Sequence, residues 1–151
     1  MPVLDVLIYP DPVLRQATRR ITVFDEKLKN LLENMFETMD AYKGVGLAAP
    51  QIGVLEKIIV VSYEERSLAL INPEIIFHEG ETIDEEGCLS LPEVTMQLKR
   101  FDIIKVKAQD FEGNPVLLDE HGFFSRILQH EIDHLNGILI IDKEPYVNHR
   151  S

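Results

Sequence analysis

His130 and His134 lie four residues apart, and Glu131 directly follows the first histidine. If this segment is a helix, residues four apart lie one turn above each other on one face, so both imidazoles can reach one metal ion. Glu131 is turned by about 100° around the helix axis, which brings its carboxylate beside the ion, where a general base is needed. The spacing therefore indicates metal-assisted hydrolysis. The alternative is a solvated helix on which these residues fall together by chance.

Two histidines leave a tetrahedral ion in need of a third protein ligand and an open position for water. The continuation that supplies a third histidine in metzincins is matched at Gly137, but the ligand position holds Ile140. A glutamate from a second helix further along is disfavoured, because Pro145 interrupts the short remaining sequence. Cys88 is the remaining candidate, since a thiolate binds divalent transition metals strongly. The alternative is that this lone cysteine is a small buried apolar residue.

Two stretches with helical periodicity could position these side chains. Residues 25–42 have apolar side chains at three-and-four spacing, with Asp25 placed as the N-cap and Gly44 placed to end the helix. Residues 123–135 repeat this pattern around the two histidines, and Gly137 is placed to end that second helix.

Between the two helices the sequence changes to short aliphatic and β-branched runs, which predict strands. The runs cover residues 58–63, 68–71, 75–77, 103–108 and 116–118. The turn-forming residues 110–115 separate the last two runs and predict a hairpin. The order of helix, strands and helix predicts an α+β fold with a largely antiparallel sheet.

Composition limits the classes of function. A chain of 151 residues with 45% apolar residues suits one domain over residues 1–151. Fifteen Lys and Arg against 26 Asp and Glu give a net charge of -11, which disfavours nucleic acid and anionic membranes as partners. No apolar run is long enough to span a bilayer, and Cys88, the single cysteine, excludes an intrachain disulfide. We expect a cytoplasmic monomer.

Three segments resemble, in the same order, the three signature motifs of peptide deformylases. They are residues 44–53 (GVGLAAPQIG), 86–92 (EGCLSLP) and 129–135 (QHEIDHL). The resemblance implies mostly antiparallel sheets packed around a central metal-binding helix. It also implies one divalent metal ion per chain, held by Cys88, His130 and His134, with Fe²⁺ as the native metal and Zn²⁺, Ni²⁺ or Co²⁺ as replacements. The implied activity is removal of the formyl group from the N-terminal formyl-methionine of nascent polypeptides.

The resemblance also implies roles for residues around the ion. The ion, the side-chain amide of Gln51 and the backbone N–H of Leu89 would stabilise the oxyanion that forms during attack by water. Glu131 would take a proton from that water and pass it to the departing amine. Glu86 and Arg100 match positions where an acid and a base brace the metal loop. The alternative for these two is a surface ion pair.

The small residues of the first motif leave room for an extended peptide to pair with the backbone. An apolar pocket could hold the methionine side chain and could include the ring of His130. We therefore predict that substrate binds at Gly44, Val45, Gly46, Gly87, Phe123 and Ile127. The alternative is a tightly packed turn beside ordinary core residues.

Two features depart from the family pattern. Thr95 stands where some bacterial members have an arginine that helps to hold the peptide. The printed sequence ends at Ser151, without the long basic C-terminal helix by which many members dock on the ribosome, so we do not expect docking by that route. A bacterium, a phage-infected cell or an organelle are all compatible sources.

Two other functions stay open on the sequence. One is a related metal-dependent amide deacylase with altered acyl specificity, which a comparison of formyl-Met and acetyl-Met peptides would distinguish. The other is a catalytically idle homologue that binds metal or peptide. Binding alone requires neither Gln51 nor Glu131, so their presence favours an enzyme.

Overall fold

In the computed structural model, which describes residues 3–147, helix α1 spans Glu26–Ala41. The side chain of Asp25 accepts a backbone hydrogen bond from the first turn, so the predicted N-cap is confirmed. The helix stops just before Gly44, as predicted, but the residue with left-handed backbone is Lys43, with a φ of 58°, and not Gly44. The N–H of Gly44 instead donates to the carbonyl of Met39 at 2.9 Å. Gly44 therefore ends the helix through a hydrogen bond and not through left-handed backbone.

The described strands form one antiparallel sheet in the order β1-β2-β3-β4-β5. The strands are β1 Gly46–Ala48, β2 Ile58–Tyr63, β3 Arg66–Cys88, β4 Leu91–Gln109 and β5 Pro115–His121. The predicted α+β class and the predicted hairpin between β4 and β5 are confirmed. Within the described residues there is one sheet, not several, and β1 lies at its edge.

Strands β3 and β4 are much longer than the sequence predicts. The predicted strands at 68–71 and 75–77 belong to one strand, β3, which passes Asn72 at a φ of 53° through a register shift after Ile71. Beyond Asn72, strands β3 and β4 form a long hairpin with many exposed charged residues. Apolar alternation is weak there, which is why the sequence did not predict a strand. The hairpin places Cys88 at the end of β3.

Helix α2, Gly122–Leu135, lies on one face of the sheet, and α1 packs on the other. Alternate residues of β2 point to opposite faces, so Ile59 joins the cluster of α2 while Ile58 joins the cluster of α1. The end of α2 is as predicted, because Gly137 has a φ of 72°. Within residues 3–147, no helix combines the length and apolar character needed to cross a membrane.

The prediction of one domain over residues 1–151 includes residues 1, 2 and 148–151, which lie outside the described part of the chain. That prediction, and the expectation about ribosome docking that depends on the C-terminus, stay predictions.

Gly137 should matter for stability for two reasons: its left-handed backbone and its close contact with the backbone of Arg15. A Cβ at Gly137 would lie 2.5 Å from the carbonyl oxygen of Arg15, whereas a Cβ at Gly122, which has a φ of 62°, meets nothing within 4 Å. We predict that Gly137→Ala lowers the free energy of unfolding by about 3 kcal/mol and Gly122→Ala by about 1 kcal/mol. Chemical denaturation at a fixed metal concentration measures both. Equal losses would show that the contact with Arg15 does not matter.

Candidate metal centre

Cys88, His130 and His134 converge, although the cysteine is far from the histidines in sequence. One potential ligand atom from each residue lies within 4.8 Å of the others, and Sγ of Cys88 is 3.4 Å from Nε2 of His134. Both histidines are buried and the cysteine is half-buried. A thiolate and two imidazoles are ligands that Fe²⁺, Zn²⁺ and related ions accept. The described residues therefore fit a transition-metal ion.

The ring of His130 is held by Glu86. Nδ1 of His130 lies 3.0 Å from Oε1 of Glu86. An ionised carboxylate can only accept hydrogen bonds, so Nδ1 carries the proton and Nε2 keeps its lone pair for a metal ion. Nδ1 of His134 is buried and has no hydrogen-bond partner among the described residues. The two histidines are therefore braced unequally.

Glu86 is held by two buried arginines. Arg100 donates to both of its carboxylate oxygens, at 2.7 and 2.8 Å, and Arg126 donates to Oε2 at 2.6 Å. Burial raises the pKa of Glu86, but the hydrogen bonds from Arg100 and His130 outweigh it and hold that pKa well below its usual range. The carboxylate is therefore ionised although only 6% exposed.

The predicted pair of Glu86 and Arg100 is thus buried beside the ligands and is not a surface ion pair. Its bracing role stays a prediction. Sequence reasoning missed Arg126, and it did not foresee that Asp133 accepts a hydrogen bond from Arg100 at 2.6 Å. Arg126 stands one helical turn before His130, so the same four-residue spacing could have identified it.

Glu131 faces the same space from α2. It is 5% exposed, and its Oε1 has no hydrogen-bond partner among the described residues. Burial raises the pKa of Glu131 to about 7, against an opposing effect of His130. The other oxygen, Oε2, would be 2.5 Å from a Cβ at Gly46, so only glycine allows β1 to approach this closely. A carboxyl group with a pKa near neutrality can both accept and return a proton.

The amide of Gln51 has a fixed orientation. Its Oε1 accepts a hydrogen bond from the N–H of Ala48 at 2.9 Å, and its Nε2 donates to Oγ of Ser90 at 3.1 Å. The same Nε2 is 3.7 Å from Sγ of Cys88. The amide N–H₂ group is therefore directed toward the metal ligands. Leu89 follows Cys88 in the turn between β3 and β4.

A cavity of about 430 Å³ opens beside these groups. The start of the edge strand β1 and the residues before it, 43–45, form one wall, and the turn between β3 and β4 forms another. Its lining includes all six predicted substrate-binding residues, which are Gly44, Val45, Gly46, Gly87, Phe123 and Ile127. Val45 and Phe123 are partly exposed, but Ile127 also belongs to the core of α2. The structure brings these residues together, and their contacts with substrate stay predictions.

Comparison with known proteins identifies relatives of the whole described chain. A family model described as polypeptide deformylase matches residues 3–149. The peptide deformylase of Desulfotalea psychrophila is 51% identical over 148 residues, which cover 94% of this chain and 88% of the relative. The crystal structure of peptide deformylase from Thermotoga maritima gives a TM-score of 0.93 at 44% identity, over 95% of this chain and 98% of that chain. A peptide deformylase from Synechococcus elongatus, solved in complex with actinonin, gives a TM-score of 0.91 at 40% identity, over 95% of this chain and 79% of that chain.

The convergence of ligands predicts one tight divalent metal site per chain. We expect Cys88→Ala to weaken Co²⁺ or Zn²⁺ binding by more than about a hundredfold, because losing an indirect partner of a ligand alone costs about 10- to 100-fold. His78→Ala is the control, since His78 stacks on Phe101 away from the ligand group. Competition with a chromophoric chelator measures the affinities. Unchanged affinity in Cys88→Ala would remove the cysteine from the ligand set.

Proposed function

The chain belongs to the polypeptide deformylase family, and we propose which of its residues carry out the reaction. It is a metal-dependent hydrolase that removes the N-terminal formyl group from nascent polypeptides. We propose that Cys88, His130 and His134 hold one divalent ion. One observation carries this assignment: potential ligand atoms of all three lie within 4.8 Å of one another. Glu131, whose buried Oε1 has no hydrogen-bond partner among the described residues, lines the same cavity as Cys88 and His130. A divalent ion held there would lower the pKa of water toward about 7 and polarise the formyl carbonyl.

Glu131 is the proposed proton carrier. Its Oε1 has no competing hydrogen bond among the described residues, and its pKa of about 7 suits transfer in both directions at neutral pH. Oε1 takes a proton from the attacking water and returns it to the amine nitrogen that leaves when the C–N bond of the formamide breaks. The products are formate and a free N-terminal amine.

Gln51 and Leu89 are the proposed donors to the oxyanion. The amide of Gln51 is 1% exposed and is fixed by its own hydrogen bonds, so it needs no reorganisation when negative charge develops on the formyl oxygen. The backbone N–H of Leu89 belongs to the turn that follows Cys88. The amide of Gln51 is buried, and burial strengthens its effect on developing charge.

The peptide is proposed to pair as an added strand along β1. This strand is an edge of the sheet and borders the cavity, and Gly46 in it and Gly44 before it offer backbone without side-chain bulk. Val45, Phe123 and Ile127 offer apolar surface for the methionine side chain. Thr95 is exposed at the cavity and carries no charge for contacts further along the peptide, so we propose that recognition relies mainly on the methionine and the backbone.

The native metal and the cellular setting are further proposals. The ligand types accept Fe²⁺, Zn²⁺, Ni²⁺ and Co²⁺, and we propose Fe²⁺ from the family resemblance. We propose action as a monomer in the cytoplasm, since the relatives from Desulfotalea psychrophila and Dictyoglomus turgidum are bacterial and bacterial nascent chains are made there. A net charge of -11 disfavours direct contact with nucleic acid.

Removing the proton carrier should separate metal binding from turnover. We predict that Glu131→Ala keeps its metal but hydrolyses formyl-Met-Ala-Ser about 10²- to 10⁴-fold more slowly, because general acid–base catalysis contributes that much. Glu112→Ala, which removes an exposed carboxylate in the turn after β4, is the control and should match the wild type. Near-normal turnover by metal-loaded Glu131→Ala would reject the proposed mechanism.

The close approach of β1 to Glu131 predicts an unusual effect of a small substitution. A Cβ at Gly46 would displace the carboxylate, so we predict that Gly46→Ala lowers kcat/KM by about a hundredfold with unchanged metal content. If the loss arises through Glu131, adding Gly46→Ala to Glu131→Ala should lower the residual rate little further. A full additional hundredfold loss in the double variant would mean that Gly46 acts by another route.

A further inference from the structure

Arg126 is a buried cation that the reaction described above does not use. Its side chain projects from the middle of α2 and is 2% exposed as a residue. One guanidinium nitrogen donates to Oε2 of Glu86 at 2.6 Å and to the carbonyl of Leu98 at 3.1 Å. The other donates to the carbonyl and the hydroxyl of Thr82, at 3.0 and 3.1 Å. Arg126 therefore links α2 to both strands of the long hairpin.

The hydrogen bonds divide the two oxygens of Glu86 between different partners. Oε2 accepts from Arg126 at 2.6 Å and from Nε of Arg100 at 2.7 Å. Oε1 accepts a hydrogen bond from Nη2 of Arg100 at 2.8 Å and lies 3.0 Å from Nδ1 of His130. Since Arg126 bonds Oε2, it holds the carboxylate with Oε1 turned toward the histidine.

Charge balance points the same way. Two carboxylates, Glu86 and Asp133, lie against the guanidinium groups of Arg100 and Arg126, and Asp133 also pairs with the ammonium group of Lys143 at 3.2 Å. Arg100 is shared between both carboxylates, and the ion pair of Arg126 is with Glu86. Without Arg126 the buried Glu86 would depend on an arginine that also serves Asp133. A buried charge that loses a partner moves or draws in water, which would release His130.

We propose that Arg126 is a positioning residue that acts through Glu86 to orient His130 toward the metal ion. The proposal rests on the assignment of His130 as a ligand. Its effect should be marked because His134 has no hydrogen-bond partner at Nδ1 among the described residues, so Glu86 supplies the side-chain brace on the pair of histidines. In this role Arg126 acts on the ion indirectly, through Glu86 and His130, although it also lines the cavity.

The test compares metal affinity in three arginine variants, using purified protein from which the metal has been exchanged. Arg126→Met should bind Zn²⁺ about tenfold more weakly and show altered visible absorption with Co²⁺, because the ligand geometry relaxes. Arg126→Lys keeps a cation for Glu86 and should recover part of both properties. Arg66→Met is the matched control: Arg66 pairs bidentately with Glu120 at 2.7 and 2.9 Å, away from the ligands. It should leave affinity and spectrum unchanged.

A double-mutant cycle tests whether Arg126 acts through Glu86. If it does, Arg126→Met added to Glu86→Gln should weaken Zn²⁺ binding by less than about twofold more. A further tenfold loss in that background would overturn the proposal. So would an Arg126→Met protein with wild-type Zn²⁺ affinity and Co²⁺ spectrum. If Arg126→Met does not fold, Arg126→Gln, which also removes the cation, replaces it, and unchanged affinity and spectrum in that variant would overturn the proposal. A wild type that binds no metal would instead reject the proposed function.

Discussion

A buried, ionised carboxylate beside the metal ligands is the constraint on which the rest of the structure depends. Glu86 is 6% exposed, so it persists as an anion because Arg100, Arg126 and the ring of His130 replace the water it has lost. The long hairpin of β3 and β4 meets this requirement, since β3 carries Glu86 and β4 carries Arg100 across from α2. Although much of the hairpin is exposed and charged, it positions the buried Glu86 and Arg100.

Helix α2 unites the core with the proposed site. Phe124 and Leu128 on this helix pack against the sheet, while His130 and Glu131 face the cavity. A helix packed this tightly cannot rotate without opening voids in the core, so the imidazoles and the carboxylate keep their positions with little freedom. The same packing buries Glu131 and thereby raises the pKa of its carboxyl group to about 7. The packing that stabilises the fold therefore also favours the proton transfer proposed for Glu131.

The edge of the sheet decides how a peptide could reach this helix. Strand β1 has three residues, and its cavity side is not paired with another described strand. Gly46 brings its backbone within a distance of Glu131 that no side chain would allow. A peptide added at this edge would therefore lie directly beside the proposed proton carrier. The open edge and the lack of side-chain bulk at Gly46 would together let the backbone of β1 take part in recognising the peptide.

The sequence by itself determined the order of helix, strands and helix, the cap at Asp25 and the spacing of His130 and His134, because helix periodicity and capping depend on neighbouring residues. With the three motifs it also indicated the family, Cys88 as the proposed third ligand, and the pair of Glu86 and Arg100. It did not reveal that β3 runs unbroken from Arg66 to Cys88, because exposed charged strands lack the apolar alternation that marks a strand. Only the tertiary structure decided that Arg126 shares Glu86 and that Gly46 lies against Glu131, since both contacts join residues distant in sequence through the packing of α2 on the sheet.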